Sequence, residues 1–396
     1  MRKNKRASVT IGEPRALRHL MDLLAIEGLS GREGKVAQAI KKKLKTAGCK
    51  ASWMFHDKVH EKIPGDFEIG NLIVKLPGTV KAPRKLFMGH MDTVPLCRGA
   101  VPVRKGHRIV SKGNTGLGGD NRTAVACLVT MVEELLERDV PRPPITVLFT
   151  VGEEVGLWGA RMVKIADLGN PKLGFNVDSG VPAEFVQGAL GADRWQVHVH
   201  GRSSHAGVHP DHGISASLIA SRAIADVAKQ GFFGKIVKNG KRGTSNVGRI
   251  EGGEASNQVT DYVLVSGESR SHDPKFVTRI TETWRKAFER AARSVKNHKR
   301  QSGRVRFVSR KDYDPFRLDR NEPVVKHAMA TARSIGMKPR LFFADGGLDA
   351  NWLSARGLPT ITFGAGQHSP HTVDEYVDVR EYVGGCRLAV ALARAD

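Results

Sequence analysis

Apolar residues follow alternating helix-like and strand-like patterns along the first 180 residues. Residues 33–47 and 122–137 place apolar side chains at helical spacing, and residues 145–151 form the continuous apolar run typical of a buried parallel strand. Shorter strands are predicted at 71–76, 85–92 and 173–178. Strands that alternate with helices predict an α/β fold in which helices cover both faces of a mainly parallel sheet.

This pattern changes near residue 190 and returns near residue 322. Between these points the pattern predicts a strand, a helix, two strands, a helix and a strand, in that order. This order is typical of an antiparallel sheet with helices on one side. The sequence therefore predicts an α/β domain formed by residues 1–189 and 315–396, interrupted by a smaller α+β domain at 190–314.

Composition narrows the class of protein. The 396 residues are 40% hydrophobic, enough for buried cores in two domains, and no run approaches the roughly 18 apolar residues of a membrane span. The basic first ten residues are not followed by the apolar segment of a signal peptide. The four cysteines are widely spaced and include no CxxC pair. We therefore expect a cytoplasmic protein with no membrane partner.

The chain is strongly basic, with 63 Lys and Arg against 40 Asp and Glu, a net charge of +23. Such an excess can indicate nucleic-acid binding. However, the basic clusters at 2–6, 41–45 and 290–300 carry few of the aromatic side chains that stack on bases. We therefore expect small anionic substrates, rather than nucleic acid, to benefit from the positive field.

Acidic and histidine residues recur where predicted strands end. The carboxyl ends of strands in an open α/β sheet meet at one crevice, so five separate segments can deliver imidazole and carboxylate groups to one place. These residues are His90 and Asp92, Asp120, Glu153 and Glu154, Asp178, and His371.

This set of donors suits two divalent cations. Nitrogen and oxygen ligands without thiolates favour zinc, with cobalt or manganese as replacements. With Asp120 as a bridge, His90 and Asp178 would bind one ion, and Glu154 and His371 the other. The two cations would together polarise a shared water molecule.

Two acidic residues remain for other roles. Asp92 lies two residues after His90 and could hydrogen-bond the imidazole nitrogen that faces away from the metal. Glu153 would take a proton from the water and pass it to the leaving amine.

Each signal also has an ordinary structural explanation. His90 and Asp92 could form a hydrogen-bonded loop pair, Glu153 and Glu154 could begin a solvated helix, and Asp120 could cap a helix. Five such coincidences in this order, all at strand ends, are much harder to accept than any one of them.

The same segments resemble a known family. GHMDTVP, GLGGDNRTA, TVGEEVGLWGA, NVDSG and HTVDEYV are similar to motifs of the two-zinc exopeptidases and deacylases. That family includes tripeptidase T, carboxypeptidase G, aminoacylase, acetylornithine deacetylase and succinyl-diaminopimelate desuccinylase, and TVGEEVGLWGA is most similar to the peptidase-T branch. The resemblance implies the same five metal ligands, with Glu153 as the general base.

The resemblance also implies roles outside the metal ligands. The inserted domain would be a lid and the interface of a homodimer, and His205 would help to hold the scissile carbonyl oxygen. Asn257 and Arg270 would contact the substrate, Arg270 as a clamp for a terminal carboxylate. Gly346 and Gly347 match the glycine-rich turn near that carboxylate.

Two positions leave alternatives open. Tripeptidase T usually has Asp-Asp-Lys where this chain has Asp120-Asn121-Arg122, which argues against strict tripeptidase specificity. His368 is a rival for the last metal ligand, and His371 is preferred because Glu375 follows it at the spacing of the family.

We expect an enzyme that hydrolyses peptide or amide bonds, most simply an exopeptidase for short peptides. Deacylation of an N-acyl amino acid is the alternative within the family. A non-catalytic relative that binds peptide or nucleic acid is a remote alternative, because no ligand and no base is missing from the sequence.

Overall fold

The computed structural model describes residues 9–395. The basic cluster predicted at residues 2–6 therefore lies outside the described part. Contacts divide the chain into two compact units. Unit 1 comprises the residues up to Gly188, Arg317–Ala344 and the residues from Leu348 onward, and unit 2 comprises Ala189–Phe316 and Asp345–Gly347.

Within residues 9–395 the strands, in chain order, are β1 (Met54–His56), β2 (Leu72–Leu76), β3 (Lys85–His90), β4 (Pro102–Lys105), β5 (Arg108–Ser111), β6 (Ile145–Thr150), β7 (Leu173–Val177), β8 (Glu184–Ala189), β9 (Gly191–His200), β10 (Gly234–Lys238), β11 (Lys241–Gly252), β12 (Tyr262–Ser271), β13 (Arg304–Tyr313), β14 (Phe316–Arg317), β15 (Arg340–Ala344), β16 (Thr360–Phe363), β17 (Gln367–His368) and β18 (Tyr376–Asp378).

The α-helices of the same residues are α1 (Glu13–Leu24), α2 (Gly34–Thr46), α3 (Gly119–Glu137), α4 (Trp158–Met162), α5 (Ala216–Lys229), α6 (Pro274–Ser294), α7 (Pro323–Ser334), α8 (Asp349–Ala355) and α9 (Val379–Ala393). None of the helices among the described residues combines the length and apolar character needed to cross a membrane.

Unit 1 is built on a mixed sheet with the strand order β1-β2-β6-β3-β7-β16-β8-β14, in which β15 also pairs with β8. The central strands β6, β3, β7 and β16 are parallel, and β2 pairs with β6 in the antiparallel sense. Every residue of β3 and β6 is buried, as expected for parallel strands covered on both faces. The α/β class with a mainly parallel central sheet is confirmed.

A second, four-stranded sheet of unit 1 has the order β17-β18-β5-β4. The sequence patterns did not predict it, because its strands are only two to four residues long and carry little periodicity. The helix that could have begun at Glu153 is also shorter than its sequence suggests, since α4 starts at Trp158.

Unit 2 is an antiparallel sheet with the order β10-β11-β12-β9-β13. Residues of β9 alternate between the two faces, so that Trp195, Val197 and Val199 are buried while Arg194 and Gln196 are exposed. Helices α5 and α6 pack against the buried face. The predicted α+β class is confirmed, and β10 is a strand that the sequence analysis missed.

Trp195 is buried in the core of unit 2, where its ring lies 4.8 Å from that of Trp284 and its Nε1 donates to Ser269 Oγ at 3.2 Å. We expect Trp195→Ala to lower the free energy of unfolding by about 3–5 kcal/mol, through lost burial and a residual cavity. Denaturant unfolding followed by circular dichroism measures the change. Gln196→Ala, on the exposed face of the same strand, is the control, and an equally small effect of both variants would contradict the assignment.

Candidate metal centre

His90 stands at the end of the central strand β3 and is buried. Helix α3 packs closely against this strand because residue 89 is glycine, where a Cβ would meet the Cβ of Ala124 at 2.6 Å. The Nδ1 of His90 lies 3.1 Å from the backbone oxygen of Asp92, so this nitrogen is a donor. The opposite nitrogen, Nε2, is thereby left for the cluster and lies 3.1 Å from Asp120 Oδ1.

Asp120 lies where the glycine-rich loop enters α3, and its backbone there is not helical, with φ −81° and ψ 100°. Its backbone N–H donates to Glu375 Oε1 at 3.0 Å, and Glu375 Oε2 accepts from the N–H groups of Leu117 and Gly118 at 2.7 and 2.8 Å. In this first turn it is Asn121, and not Asp120, whose side chain accepts from a helix N–H, since Asn121 Oδ1 lies 3.2 Å from Ala124 N. The Asp120 carboxylate is therefore free of capping and faces the cluster.

Glu153 and Glu154 follow β6 and lie in the turn before α4. Both backbone N–H groups donate to the carboxylate of Asp92, Glu153 N to Oδ1 at 3.0 Å and Glu154 N to Oδ2 at 3.2 Å. Ser30 Oγ donates to the same carboxylate at 2.7 Å. Asp92 thus holds the Glu153–Glu154 turn, and its Oδ1 lies 3.4 Å from His90 Nδ1.

Asp178 follows β7 directly and is buried. Its Oδ1 lies 3.9 Å from His90 Nε2 and 3.4 Å from the side-chain amide of Gln367, which donates to it. Gln367 is itself held by the hydroxyl of Thr123, which donates to its Oε1 at 2.9 Å. The orientation of Asp178 is therefore set by the end of β7 and by Gln367, which lies four residues before His371.

His371 and His368 have different surroundings. The Nε2 of His371 lies 2.9 Å from Glu154 Oε1 and 3.5 Å from Asp120 Oδ2. The Nε2 of His368 instead lies 2.5 Å from Glu381 Oε2, and its ring stacks on Tyr376. The structure therefore brings His371, and not His368, to the cluster.

Ligand atoms of these residues form overlapping groups in which all members lie within 4.8 Å of one another. One group is His90, Asp120 and Asp178, and another is Asp120, Glu154 and His371. Asp120 belongs to both. A third group, His90 with Glu153 and Glu154, places the remaining glutamate beside the same atoms.

The cluster concentrates negative charge in a buried place. Burial raises the pKa of Glu153 and of Asp178 well above the usual range, and neighbouring carboxylates add to both shifts. Burial alone would lower the pKa of His90, but Glu153 and Asp120 raise it well above its usual value. The hydrogen bond with Glu154 raises the pKa of His371 to about 9. Such a site attracts cations.

His205 and Asn257, predicted to contact the substrate, both belong to unit 2. Their segments are paired, because Ala206 N donates to the backbone oxygen of Asn257 at 2.8 Å. The Nδ1 of the exposed His205 accepts from the N–H groups of Gly207 and Val208 at 3.2 and 3.1 Å. The proton of a neutral His205 therefore resides on Nε2, which is a hydrogen-bond donor.

The other three predicted substrate contacts are also in unit 2. Arg270, on β12, is ion-paired with Glu268, with Nε 2.8 Å from Oε1 and Nη2 donating to Oε2 at 2.9 Å. Gly347 packs against the ring of Tyr313, which a Cβ would meet at 2.3 Å, whereas Gly346 has open space at this position. The guanidinium of Arg270 thus has a carboxylate partner within its own unit.

Sequence reasoning missed the residues that position this cluster. Glu375 was noted only for its spacing from His371, although it binds three backbone N–H groups of the glycine-rich loop. Glu33 was missed entirely: its Oε1 accepts from Gly31 N and Gly152 N, both at 3.0 Å, and burial raises its pKa to about 8. Both glutamates accept hydrogen bonds from backbone groups more than 100 residues away in sequence, and periodicity cannot reveal such contacts.

Known proteins are similar to this chain in sequence and in fold. The model of the peptidase family M20/M25/M40 matches residues 86–395. The protein YqjE of Bacillus subtilis is 30% identical over 388 residues, 96% of this chain and 98% of that protein. The crystal structure of an aminopeptidase PepT from Bacillus cereus is 31% identical with a TM-score of 0.83, and that of a tripeptidase from Staphylococcus aureus is 26% identical with a TM-score of 0.87. Both similarities cover 97% of this chain and 98% of the other.

Glu375 is expected to control how firmly the cluster binds cations. Glu375→Gln places a side-chain NH₂ against backbone donors, which frees the loop that presents Asp120. We expect the affinity for divalent cations to fall by about 10- to 100-fold, the usual range for residues that orient ligands. Titration of metal-free protein measures it. Glu381→Gln, outside the cluster, is the control, and unchanged affinity in Glu375→Gln would show that the loop does not need this carboxylate.

Proposed function

The chain belongs to peptidase family M20/M25/M40, and we propose from this membership and from the cluster that it is a two-metal exopeptidase acting on short peptides. Membership of this family makes it a metal-dependent hydrolase. The crystal structures similar to it over almost the whole chain include an aminopeptidase and a tripeptidase, which supports short peptides as the class of substrate.

One observation carries the proposal. Two groups of three ligand atoms share Asp120, and Glu153 lies beside them with its Oε2 4.0 Å from His90 Nε2. A structural ion would be enclosed by its ligands, whereas a catalytic ion has about three protein ligands and a position left for water. Paired three-ligand groups with an adjacent carboxylate therefore favour hydrolysis over a structural role.

The donors fit two divalent cations. The mutual distances within each group are compatible with a shared ion, and the surplus of carboxylates over imidazoles needs positive charge. His90 and Asp178 would hold one ion, Glu154 and His371 the other, and Asp120 both. We propose zinc because imidazole and carboxylate ligands suit it, with cobalt or manganese as substitutes. When bound, the ions supply Lewis acidity towards water and the scissile carbonyl.

Glu153 is the residue we assign as general base. Its carboxylate is buried beside the assigned ligands, with Oε2 4.0 Å from His90 Nε2, so it would be placed to accept a proton from a water molecule at the cluster. It would take the proton of the attacking water and deliver it to the nitrogen of the leaving amine. Asp92 supports this step by holding the backbone N–H of Glu153 and by lying against Nδ1 of His90.

Unit 2 would supply the substrate contacts. We assign His205 to the oxyanion, because the backbone bonds to its Nδ1 leave Nε2–H as the donor. The paired Asn257 segment would contact the substrate beside it. For Arg270 to clamp a terminal carboxylate, it would have to share its guanidinium with Glu268. A homodimer through unit 2 remains a prediction, as does a cytoplasmic location, with which the four free, buried cysteines are compatible.

We expect Glu153→Gln to lower kcat by about 100- to 10,000-fold, since the variant keeps the shape of the side chain but cannot accept a proton. Its content of bound cations is expected to stay unchanged because Glu153 is not an assigned ligand. Steady-state kinetics together with elemental analysis test both statements. Glu381→Gln is the matched control and should retain activity. A metal-loaded Glu153→Gln enzyme with full activity would refute the base assignment.

Removal of the cations should abolish hydrolysis, and added Zn²⁺, Co²⁺ or Mn²⁺ should restore it. We expect the restored enzyme to cleave tripeptides faster than acetylated amino acids when both are offered at equal concentration. Chromatographic product analysis also identifies which end of the peptide is released. Faster cleavage of the acetylated substrates would instead favour the deacylase alternative, and undiminished turnover by the metal-free protein would reject both.

A further inference from the structure

A second cluster of histidine and carboxylate side chains lies in unit 2, whereas the five ligands described above belong to unit 1. It is formed by His209, Asp211 and His212, which surround the single-turn helix Pro210–His212. We propose that these three residues bind one additional divalent cation of the zinc class. All five ligands of the two-metal centre belong to unit 1, so this site stands independently of the proposed function.

The three side chains are already grouped as ligands. One nitrogen of each histidine and one carboxylate oxygen of Asp211 lie within 4.8 Å of one another. The rings of His209 and His212 are nearly parallel, with an interplanar angle of 9° and centroids 4.6 Å apart. Ligands of one zinc ion stand within roughly 4 Å of each other. Because the three side chains are exposed, small rotations can close the remaining gap.

The backbone of residues 209–211 is fixed by hydrogen bonds from two other segments of unit 2. His298 N donates to the backbone oxygen of Asp211 at 2.8 Å, and Ser204 Oγ donates to that of His209 at 2.5 Å. The ring of His298 stacks on that of His212 with centroids 4.1 Å apart. The three ligands are therefore presented by a braced turn, which reduces the entropy lost on binding an ion.

Apart from this ring stacking, the three side chains have no competing polar partner in the described part of the chain. Among the residues that the structure describes, none hydrogen-bonds or ion-pairs with the side chain of His209, Asp211 or His212. Two imidazoles and one carboxylate favour zinc and its neighbours over calcium or magnesium, which prefer oxygen ligands. Three protein ligands leave a further position for water.

Zinc stoichiometry tests the proposal. Metal-free protein is dialysed against buffered Zn²⁺, and bound zinc is measured by elemental analysis. We expect His209→Ala/His212→Ala to bind one equivalent less than the unchanged protein. His198→Ala/His200→Ala is the matched control, because it removes two histidines of β9 that are not grouped with a carboxylate, and it should lose no zinc.

Asp211→Asn provides a second variant, since it keeps both imidazoles and removes only the charged ligand. It should bind the additional ion more weakly, and circular dichroism checks that each variant is folded. Equal zinc content in the unchanged protein, the double variant and Asp211→Asn would overturn the proposal. The comparison uses differences in bound zinc and no activity, so failure of the two-metal centre would reduce all proteins equally and be recognised separately.

Discussion

The buried concentration of carboxylates at the ends of the parallel strands is the constraint on which the rest of unit 1 depends. Asp120, Glu153 and Asp178 all lie around the imidazole of His90. Burial favours the neutral form of Glu153 and of Asp178 and raises the pKa of both, whereas the hydrogen bond with His90 helps to lower the pKa of Asp120. Without bound cations, mutual repulsion and lost hydration would destabilise the ionised forms of these buried carboxylates. Bound divalent cations would remove this penalty, because one dication stabilises several carboxylates at once.

The surrounding structure keeps these groups from relaxing apart. Asp92 binds two successive backbone N–H groups of the Glu153–Glu154 turn, and Glu375 binds three of the glycine-rich loop. These are charge-assisted bonds to backbone, which is stiffer than a side chain. The ligands are consequently positioned by contacts between segments up to 258 residues apart in sequence, and rigidity of this kind lowers the reorganisation needed when ions or substrate bind.

The parts of this arrangement that follow from local rules could be predicted. His90, Glu153 and Asp178 come after buried apolar runs, and parallel pairing of β3 with β6 and β7 brings such strand ends together. The short strands β4, β5, β17 and β18 could not be predicted, because their pairing partners are distant in sequence and their patterns are weak. The role of Glu375 could not be predicted for a similar reason: its partners are backbone N–H groups, which leave no signature in the sequence.

Arg122 shows how a departure from a family pattern can have a structural meaning. It was considered a reason to doubt strict tripeptidase specificity, since lysine is usual there. Its guanidinium is buried, with Nε donating to the backbone oxygen of Leu23 at 3.2 Å and Nη2 to that of Ile26 at 3.2 Å. The longer, forked arginine can satisfy several carbonyl groups that one ammonium group reaches less well. Arg122 therefore holds the segment after α1 in place, which gives this departure a structural role.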